Sequence, residues 1–173
     1  MGLTTFLVQS DGEKIDAPKP LQKALKRLAK VQRQHCKKVK GSHNRKRSAF
    51  KISRIHRKVK NIRTDFLHKT STKLAKTKAV IVIEDLQVKG MMQNRKLSRH
   101  IADAGWGEFR RQLEYKTKWY GSQLVVAPRF FASSKTCSGC GYVMADMNLS
   151  IREWCCPETA LLCMTETLMQ RKT

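Results

Sequence analysis

Acidic residues are scarce in this chain, and one long stretch lacks them altogether. The 173 residues include 13 Asp and Glu against 36 Lys and Arg, a formal net charge of +23 at pH 7. No acidic residue lies between Asp16 and Asp65, a stretch that holds 18 of the basic residues. A basic excess of this size governs partners and solubility rather than fold. The sequence therefore predicts a polyanionic partner, since each phosphate contact releases condensed counterions.

Long apolar runs are also missing. No segment approaches the roughly 18 apolar residues that span a bilayer, and the start, Met1 to Phe6, lacks the basic and apolar regions of a signal peptide. Phe6 stands where a myristoylation signal has Ser or Thr. We therefore expect no membrane partner and a cytoplasmic location, close to the nucleoid through nucleic acid. The oligomeric state is not indicated.

The acid-free stretch has the pattern of a helical hairpin. Pro18 and Pro20 open a first helix, as proline does at a first turn. Residues 41–44 (Gly-Ser-His-Asn) break it, and a second helix is expected from about Arg45 to Thr77. The apolar positions recur at helical spacing: Leu21, Leu25 and Leu28, then Ile52, Ile55, Val59, Ile62 and Phe66.

A helix surface without carboxylates cannot neutralise itself through i,i+4 pairs. A solvated charged face usually mixes both signs, and a ribosomal-type protein is the other alternative. The pattern favours a clamp on the phosphate backbone, which positions nucleic acid without reading bases. The predicted contacts, called the hairpin set below, are Lys23, Lys26, Arg27, Lys30, Arg33, Lys37, Lys38, Arg45, Lys46, Arg47, Lys51, Arg54, Arg57 and Lys58.

The remaining segments alternate between strands and helices, which predicts the α/β class. Residues 3–9 favour a strand that turns at Ser10 to Gly12 and returns near Lys14 and Ile15. The continuous apolar run 79–83 is typical of a central strand covered on both faces. A basic loop (90–99), a helix from about Ala104 to Tyr120 and a strand at 123–127 are expected next.

Cysteines cluster near the end of the chain. Of six, five lie in the last 37 residues, and this favours a metal over disulfides in a cytoplasmic protein. Cys137 and Cys140 are followed by Cys156 after fifteen intervening residues, a spacing typical of a zinc ribbon. Thr159 occupies the fourth ligand position, where Cys155 or Cys163 are candidate substitutes. We therefore expect either a partial, weak zinc site or a set of reduced thiols that bind no metal.

Two further features are open to more than one interpretation. Glu84 ends the apolar strand, where ligands of α/β sheets gather, although a lone Glu is more often a capping or surface acid. Four aromatic residues near the cysteines are interpreted as a small core rather than a base-stacking surface. They are Phe130, Phe131, Tyr142 and Trp154.

Four motifs together resemble the TnpB (OrfB) proteins of insertion sequences, which are relatives of type V CRISPR effector nucleases. They span Val82–Met92, Asp103–Leu113, Ser133–Tyr142 and Arg152–Pro157, and the likeness covers about residues 1 to 158. The resemblance implies an RNase H-like (RuvC) fold, interrupted by a basic helical hairpin and a zinc ribbon. It implies a transposase-type, RNA-guided, Mg²⁺-dependent DNA endonuclease, with guide RNA and transposon DNA as partners and Zn and Mg as cofactors.

The resemblance also implies a division of the chain. Residues 1–17 would hold the first RuvC-like strands, 18–77 the basic hairpin and 78–132 the RuvC-like core. Residues 133–158 would form the zinc ribbon. Residues 159–173 match no expected motif, and codons for Tyr-Asp-Arg-Asp read one nucleotide late spell Met-Thr-Glu-Thr, as at 164–167. A frameshift near Glu158 is therefore the hypothesis for this tail.

Three carboxylates carry the reaction in this family, because two Mg²⁺ ions need several hard oxygen ligands. Glu84 matches one of them. The resemblance places one Asp immediately before Met1 and another beyond Glu158, so we expect a catalytically inactive fragment, incomplete at both ends, in which Glu84 is vestigial. The alternatives are a non-catalytic nucleic-acid-binding protein that modulates a full-length relative, and a remnant too incomplete to fold.

Overall fold

The structure is a computed structural model that describes residues 1–128, 135–137, 140–145, 153–157 and 163–165. The chain divides into two compact units, each treated separately below. The helical unit comprises Ala17–Ala79 and Gln87–Gln123, and the strand unit comprises Met1–Asp16, Val80–Leu86 and Leu124–Thr173. The helices are α1 (Pro20–Cys36), α2 (His43–Thr77), α3 (Val88–Met91), α4 (Ser98–Ala104) and α5 (Trp106–Tyr120). The strands are β1 (Leu7–Val8), β2 (Lys14–Ile15), β3 (Val80–Glu84), β4 (Gln123–Ala127), β5 (Glu153–Cys155) and β6 (Cys163–Thr165).

The predicted helical hairpin is confirmed in α1 and α2. Pro20 is the first residue of α1, and Gly41 adopts a left-handed φ of 82° where the chain turns. Ser42 caps α2, because its hydroxyl accepts a hydrogen bond from the backbone N–H of Arg45 at 3.2 Å. The cap starts α2 at His43, two residues before the expected start.

The core of the helical unit forms where α2 packs against α5, and α1 also packs against α2. Leu67 and Leu74 of α2 are buried, as are Phe109 and Leu113 of α5. Leu28 and Val59 are buried in α1 and α2. Burial of aliphatic and aromatic side chains of this kind is the main source of stability for the unit.

The helix expected over 104–120 is wrong at its start. Two helices, α4 and α5, meet at Gly105, which takes a left-handed φ of 72°. A Cβ at Gly105 would lie 3.1 Å from the side chain of Arg63 and 3.2 Å from that of Leu67, so glycine serves both the turn and the close approach to α2. The expected loop 90–99 is also partly wrong, since α3 reaches Met91 and α4 begins at Ser98.

In the strand unit, β1 is much shorter than the strand expected over 3–9. Only Leu7 and Val8 pair, antiparallel to Ile15 and Lys14, after a turn in which Gly12 has φ 90°. The N–H of Gly2 donates to the carbonyl of Phe6 instead, so the chain bends before β1. Phe6 itself is fully buried.

Strand β3 forms as expected and pairs with β4, but its burial differs from the prediction. Ile81 and Ile83 are buried, whereas Val80 and Val82 are 54% and 41% exposed. Side chains of a strand alternate between two faces, so within the described residues only one face of β3 is covered. Helices and two-stranded sheets together make the chain mixed α/β. No described helix is long and apolar enough to cross a membrane.

Candidate nucleic-acid and metal sites

The hairpin set is presented to solvent almost completely. Twelve of its fourteen side chains are exposed, and Lys38 and Arg45 are half-buried. No member of the set has a carboxylate partner among the described residues. Uncompensated cations on one pair of helices repel one another unless an external polyanion joins them. The arrangement therefore presents a cationic surface whose charge suits a polyanion.

Lys38 and Arg45 hold the turn between α1 and α2. The guanidinium of Arg45 donates to the carbonyl of Lys38 at 2.7 Å, and the ammonium of Lys38 donates to the carbonyl of Asn44 at 3.3 Å. These hydrogen bonds join Lys38, which follows the end of α1, to the first turn of α2. Both side chains thus fix the geometry of the hairpin in addition to carrying charge.

Asp103 anchors the other end of the hairpin. Its carboxylate, 2% exposed, accepts hydrogen bonds from the backbone N–H groups of Leu21 (3.0 Å) and Gln22 (3.3 Å) at the start of α1. The guanidinium of Arg63, on α2, donates to it at 3.1 Å. Because Leu21 lies in the first turn of α1 and Arg63 lies in the second half of α2, the two helices run antiparallel.

A carboxylate at this position compensates for what α1 lacks. The helix has no acidic residue in its first turn and no side-chain cap from Lys19. An anion near a helix N-terminus interacts favourably with the exposed N–H groups and the helix dipole. Sequence reasoning missed this role, because Asp103 is 82 residues away from Leu21 and only the tertiary fold brings them together.

Between α2 and α5 lies a second buried charge, Lys116. Its ammonium donates at 2.8 Å to each of three oxygens, the carbonyl of His68 and the hydroxyls of Ser71 and Thr72. Burial lowers the pKa of the Lys116 ammonium below its ordinary value. With all three N–H donors used inside the protein, Lys116 is a packing element of the helical unit and offers no charge to a ligand.

Glu84 lies half-buried at the end of β3. The amino group of Met1 lies 3.9 Å from its Oε1, and the Glu84 side chain is 43% exposed. Among the described residues no group of three candidate metal ligands includes Glu84. A two-Mg²⁺ centre needs several hard oxygen ligands, and the described residues around Glu84 do not supply them.

The three predicted zinc ligands come together in the strand unit. The sulfurs of Cys137, Cys140 and Cys156, called the cysteine cluster below, all lie within 4.8 Å of one another. Cys137 and Cys156 are buried and Cys140 is exposed, with 3.5 Å between the sulfurs of Cys140 and Cys156. Three cysteine sulfurs at this separation form a group that could hold a metal ion.

The local backbone explains the convergence. The N–H of Cys137 donates to the carbonyl of Tyr142 at 2.7 Å, and the N–H of Gly141 donates to the carbonyl of Cys137 at 3.0 Å. Gly141 takes a left-handed φ of 79°, which closes the turn. A backbone hydrogen bond involving Tyr142 lowers the pKa of the Cys140 thiol, but burial and the thiols of Cys156 and Cys137 outweigh it, so the net shift is upward.

Tyr142 and Trp154 pack beside the cysteine cluster. Trp154 is buried with Cys137 and Cys156, and Tyr142 and Met144 pack against them. The rings of Tyr142 and Trp154 lie 6.5 Å apart in a tilted arrangement. The interpretation of these two aromatics as a small core is confirmed, while Phe130 and Phe131 lie outside the described residues.

The candidate substitutes for a fourth ligand are placed only in part. Cys155 is disulfide-bonded, and its sulfur is not in the cysteine cluster. On the backbone Cys155 pairs with Cys163, because β5 and β6 form an antiparallel ladder in that register. The side chain of Cys163 and the whole of Thr159 lie outside the described residues.

An unpaired basic hairpin and a cysteine cluster are typical of proteins that act on nucleic acids. The chain belongs to the OrfB_IS605 family, described as "Probable transposase", whose family model matches residues 1–95. A second family model, described as "Cas12f1-like, TNB domain", matches residues 106–164. The resemblance to TnpB (OrfB) proteins is confirmed.

Three curated relatives of this chain are named as RNA-guided DNA endonucleases. A "Putative RNA-guided DNA endonuclease" of Streptomyces pristinaespiralis is 48% identical over 155 residues, covering 90% of this chain and 39% of that protein. InsQ of Escherichia coli K12, named in the same way, is 37% identical over 90% of this chain and 42% of its own length. Rv2885c of Mycobacterium tuberculosis, also so named, is 43% identical over 76% of this chain and 30% of its length. The chain thus spans about two fifths or less of these relatives.

Proposed function

We propose that this chain is the nucleic-acid-holding part of a transposon-associated, RNA-guided DNA endonuclease of the TnpB/OrfB type. In this proposal the hairpin set contacts guide RNA or transposon DNA through phosphates. The 173-residue polypeptide binds these partners and does not cut them. The observation that carries the proposal is the surface of fourteen basic side chains without a carboxylate partner among the described residues.

The way the hairpin is held supports a binding role. Asp103 fixes the open end of the α1–α2 pair, and Arg45 fixes the turn at the other end. A charged surface on a fixed frame loses little conformational entropy when it binds. Phosphate contacts of this kind set register and orientation, and the guide would supply sequence recognition through base pairing.

The environment of Glu84 supports the proposal that the polypeptide does not cleave. An RNase H-like (RuvC) centre would need further carboxylates beside Glu84 for Mg²⁺, and among the described residues Glu84 belongs to no group of three candidate metal ligands.

Zinc is the cofactor that the described residues fit. Cys137, Cys140 and Cys156 would hold the ion and join β5 to the turn at Gly141. A structural zinc site contributes directly to folding, because the unfolded chain offers no preformed ligand set. The ion would therefore stabilise the small core around Trp154 and take no part in chemistry.

The origin of residues 159–173 is a separate proposal. We propose that they are read in a shifted frame, although the second family match runs to residue 164 and backbone pairing of β6 with β5 covers 163–165. Sequencing the gene around the Glu158 codon tests this directly. An alternative frame that encodes Cys-Gly and Asp-Arg-Asp supports the shift, and its absence contradicts it.

The binding proposal is tested by fluorescence anisotropy with labelled RNA across a salt series. Replacing Arg47, Lys51 and Arg54 together by Gln should reduce the salt slope by about 2, since each single-strand phosphate contact contributes about 0.7. The matched control replaces three exposed lysines outside the hairpin set, Lys69, Lys89 and Lys96, by Gln. An equal loss in both variants would mean that net charge alone, without a defined surface, drives binding.

Cleavage is tested on the same protein with Mg²⁺ and a labelled DNA target. We expect no product, and no difference between the wild type and Glu84→Ala. Mg²⁺-dependent cleavage that Glu84→Ala abolishes would contradict the inactive state. The second candidate function, modulation of a full-length relative, is favoured by two observations: the basic surface is exposed, and among the described residues Glu84 belongs to no group of three candidate metal ligands. It predicts that the chain competes with such a relative for RNA.

A further inference from the structure

A second surface in the helical unit has the features of a binding site. Tyr115 and Trp119 lie one helical turn apart on α5, with ring centroids 4.6 Å apart in an edge-to-face arrangement. The guanidinium of Arg111, one turn earlier, lies 5.9 Å from the Tyr115 ring centroid. Arg111, Tyr115 and Trp119 thus form a continuous stripe, called the α5 stripe below.

The exposure of Trp119 distinguishes it from the other two tryptophans. It is 72% exposed, whereas Trp106 and Trp154 are 3% and 6% exposed. The exposed ring leaves a wide apolar area in contact with water, and its contact with the Tyr115 ring makes that area continuous, which is a feature of contact sites. In an edge-to-face pair one ring contributes only its edge, so ring faces remain available for stacking.

The charges around the stripe favour a polyanion. Lys118 is exposed beside Trp119, and the ammonium of Lys76, at the end of α2, lies 5.1 Å from the Tyr120 ring centroid. Glu114 is the last acidic residue of α5, and Arg110 pairs with it at 3.1 Å. Exposed aromatics among cations, with the nearby acids Glu108 and Glu114 already paired with Arg111 and Arg110, suit a nucleotide whose base stacks while the phosphates of the strand contact Lys76 and Lys118.

We propose that the α5 stripe is a stacking site for an unpaired base of single-stranded RNA, with Trp119 as the main platform. This inference rests on the proposed function, because it assumes that the same nucleic acid also contacts the hairpin set. Double-stranded RNA keeps its bases stacked inside the helix and has none to offer. The site would therefore separate single-stranded from duplex RNA, which the hairpin set alone cannot do.

The dimensions allow one strand to reach both surfaces. Lys76 lies 31 residues after Arg45 on α2, a distance of about 47 Å at about 1.5 Å per helical residue. A strand of about 20 nucleotides extends over about 68 Å at about 3.4 Å per nucleotide. An oligouridylate of this length is a suitable probe, since uridine stacks weakly on itself and leaves its bases free.

The test compares binding of this oligouridylate and of an RNA duplex of equal length to the full chain. Trp119→Ala should weaken single-strand binding by about fivefold to a hundredfold and leave the salt slope and duplex binding unchanged. Trp119→Phe should retain most of the affinity, because a smaller aromatic ring still stacks. Met92→Ala, which removes another exposed apolar side chain, is the matched control and should have no effect.

Tryptophan fluorescence reports stacking on Trp119 directly. A purely structural role of Trp119 would not make the fluorescence depend on RNA. Stacking on an exposed indole quenches it, so the oligouridylate should quench the wild type and leave Trp119→Phe unquenched. Circular dichroism should show equal melting of all variants, since Trp119 is exposed.

The outcomes separate this inference from the proposed function. Salt-sensitive RNA binding that Trp119→Ala leaves intact, or weakens equally for single strand and duplex, overturns the stacking site alone. Self-association that disappears in Trp119→Ala while RNA binding persists assigns the stripe to a protein contact and also overturns it. No binding of either RNA by the wild type overturns both proposals.

Discussion

Two carboxylates, one in each unit, show how differently this chain supports its acidic groups. Asp103 in the helical unit is 2% exposed and accepts hydrogen bonds from two backbone N–H groups at the start of α1 and from the Arg63 guanidinium. Glu84 in the strand unit is 43% exposed, with the amino group of Met1 at 3.9 Å. The motif comparison draws attention to Glu84, whereas the contacts identify Asp103 as the carboxylate on which this polypeptide's structure depends. The motif likeness and the contacts therefore single out different carboxylates.

The sharpest test of this contrast is Asp103→Ala. It leaves Arg63 without its partner and the first N–H groups of α1 without an acceptor, so we expect a loss of about 3 kcal/mol in the free energy of unfolding. Urea denaturation followed by circular dichroism measures it. Asp65→Ala is the matched control, because Asp65 forms an exposed i,i+4 pair with Lys69 and should cost less than about 0.5 kcal/mol. Equal losses in the two variants would refute the anchoring role.

Lys116→Met is expected to have the next largest effect. It removes three hydrogen bonds to His68, Ser71 and Thr72 but relieves the burial of a charge, so we expect a net loss of about 2 kcal/mol. Thermal melting monitored at the helical signal measures it. Lys118→Met, an exposed neighbour on α5, is the control. A gain in stability would mean that the cost of burying the charge exceeds the value of its hydrogen bonds.

In the helical unit, the sequence predicted the positions of the helices better than the long-range contacts that hold them together. The spacing of leucines and the Gly41–Ser42 break located α1 and α2, because local periodicity and capping decide helices. The two-helix structure at Gly105 was missed, since it depends on the close approach of Arg63 and Leu67. The burial of β3 was mispredicted because an apolar run does not show how many faces are covered.

The candidate sites show the same difference between local features, which the sequence predicts, and features that depend on the tertiary fold. Cysteine spacing located the cluster of Cys137, Cys140 and Cys156, because ligand spacing in a turn is a local property. The exposed basic set was readable from the absence of acids. Asp103 and the α5 stripe were not, because the first is a contact over 82 residues and the second depends on which aromatic of α5 remains exposed.

In the strand unit, the state of Cys155 provides a third prediction. Reduction would free its thiol beside Cys156 and make it available as a fourth ligand, so zinc should bind about tenfold more tightly in reduced than in oxidised protein. Competition with a chromophoric chelator measures the affinity. Cys155→Ser should remove the difference between the two states, whereas Cys36→Ser, an exposed thiol in α1, should leave it unchanged. A redox difference that survives in Cys155→Ser would contradict the assignment.

A smaller effect is expected from the pH dependence of Glu108. Hydrogen bonding to Arg111, opposed by burial, holds the pKa of Glu108 at about 2. A lowered folded-state pKa contributes stability above the ordinary value of 4.5 that is lost as pH falls from 4.5 towards 2. Because the side chain is 40% exposed, solvent screening limits the contribution to less than about 1 kcal/mol. Glu108→Gln should flatten the stability profile in this pH window, and an unchanged profile would contradict the pairing.

The smallest effect is expected at Glu84. Its contact with the Met1 amino group is long and exposed to solvent, and such pairs contribute about 0 to 1 kcal/mol. Glu84→Gln should therefore change the free energy of unfolding by less than about 0.5 kcal/mol, and Mn²⁺ added as a probe should stabilise neither protein. If Glu84→Gln proves as costly as Asp103→Ala, or abolishes a Mn²⁺ response, then Glu84 belongs to an assembled centre and the contrast between the two carboxylates is wrong.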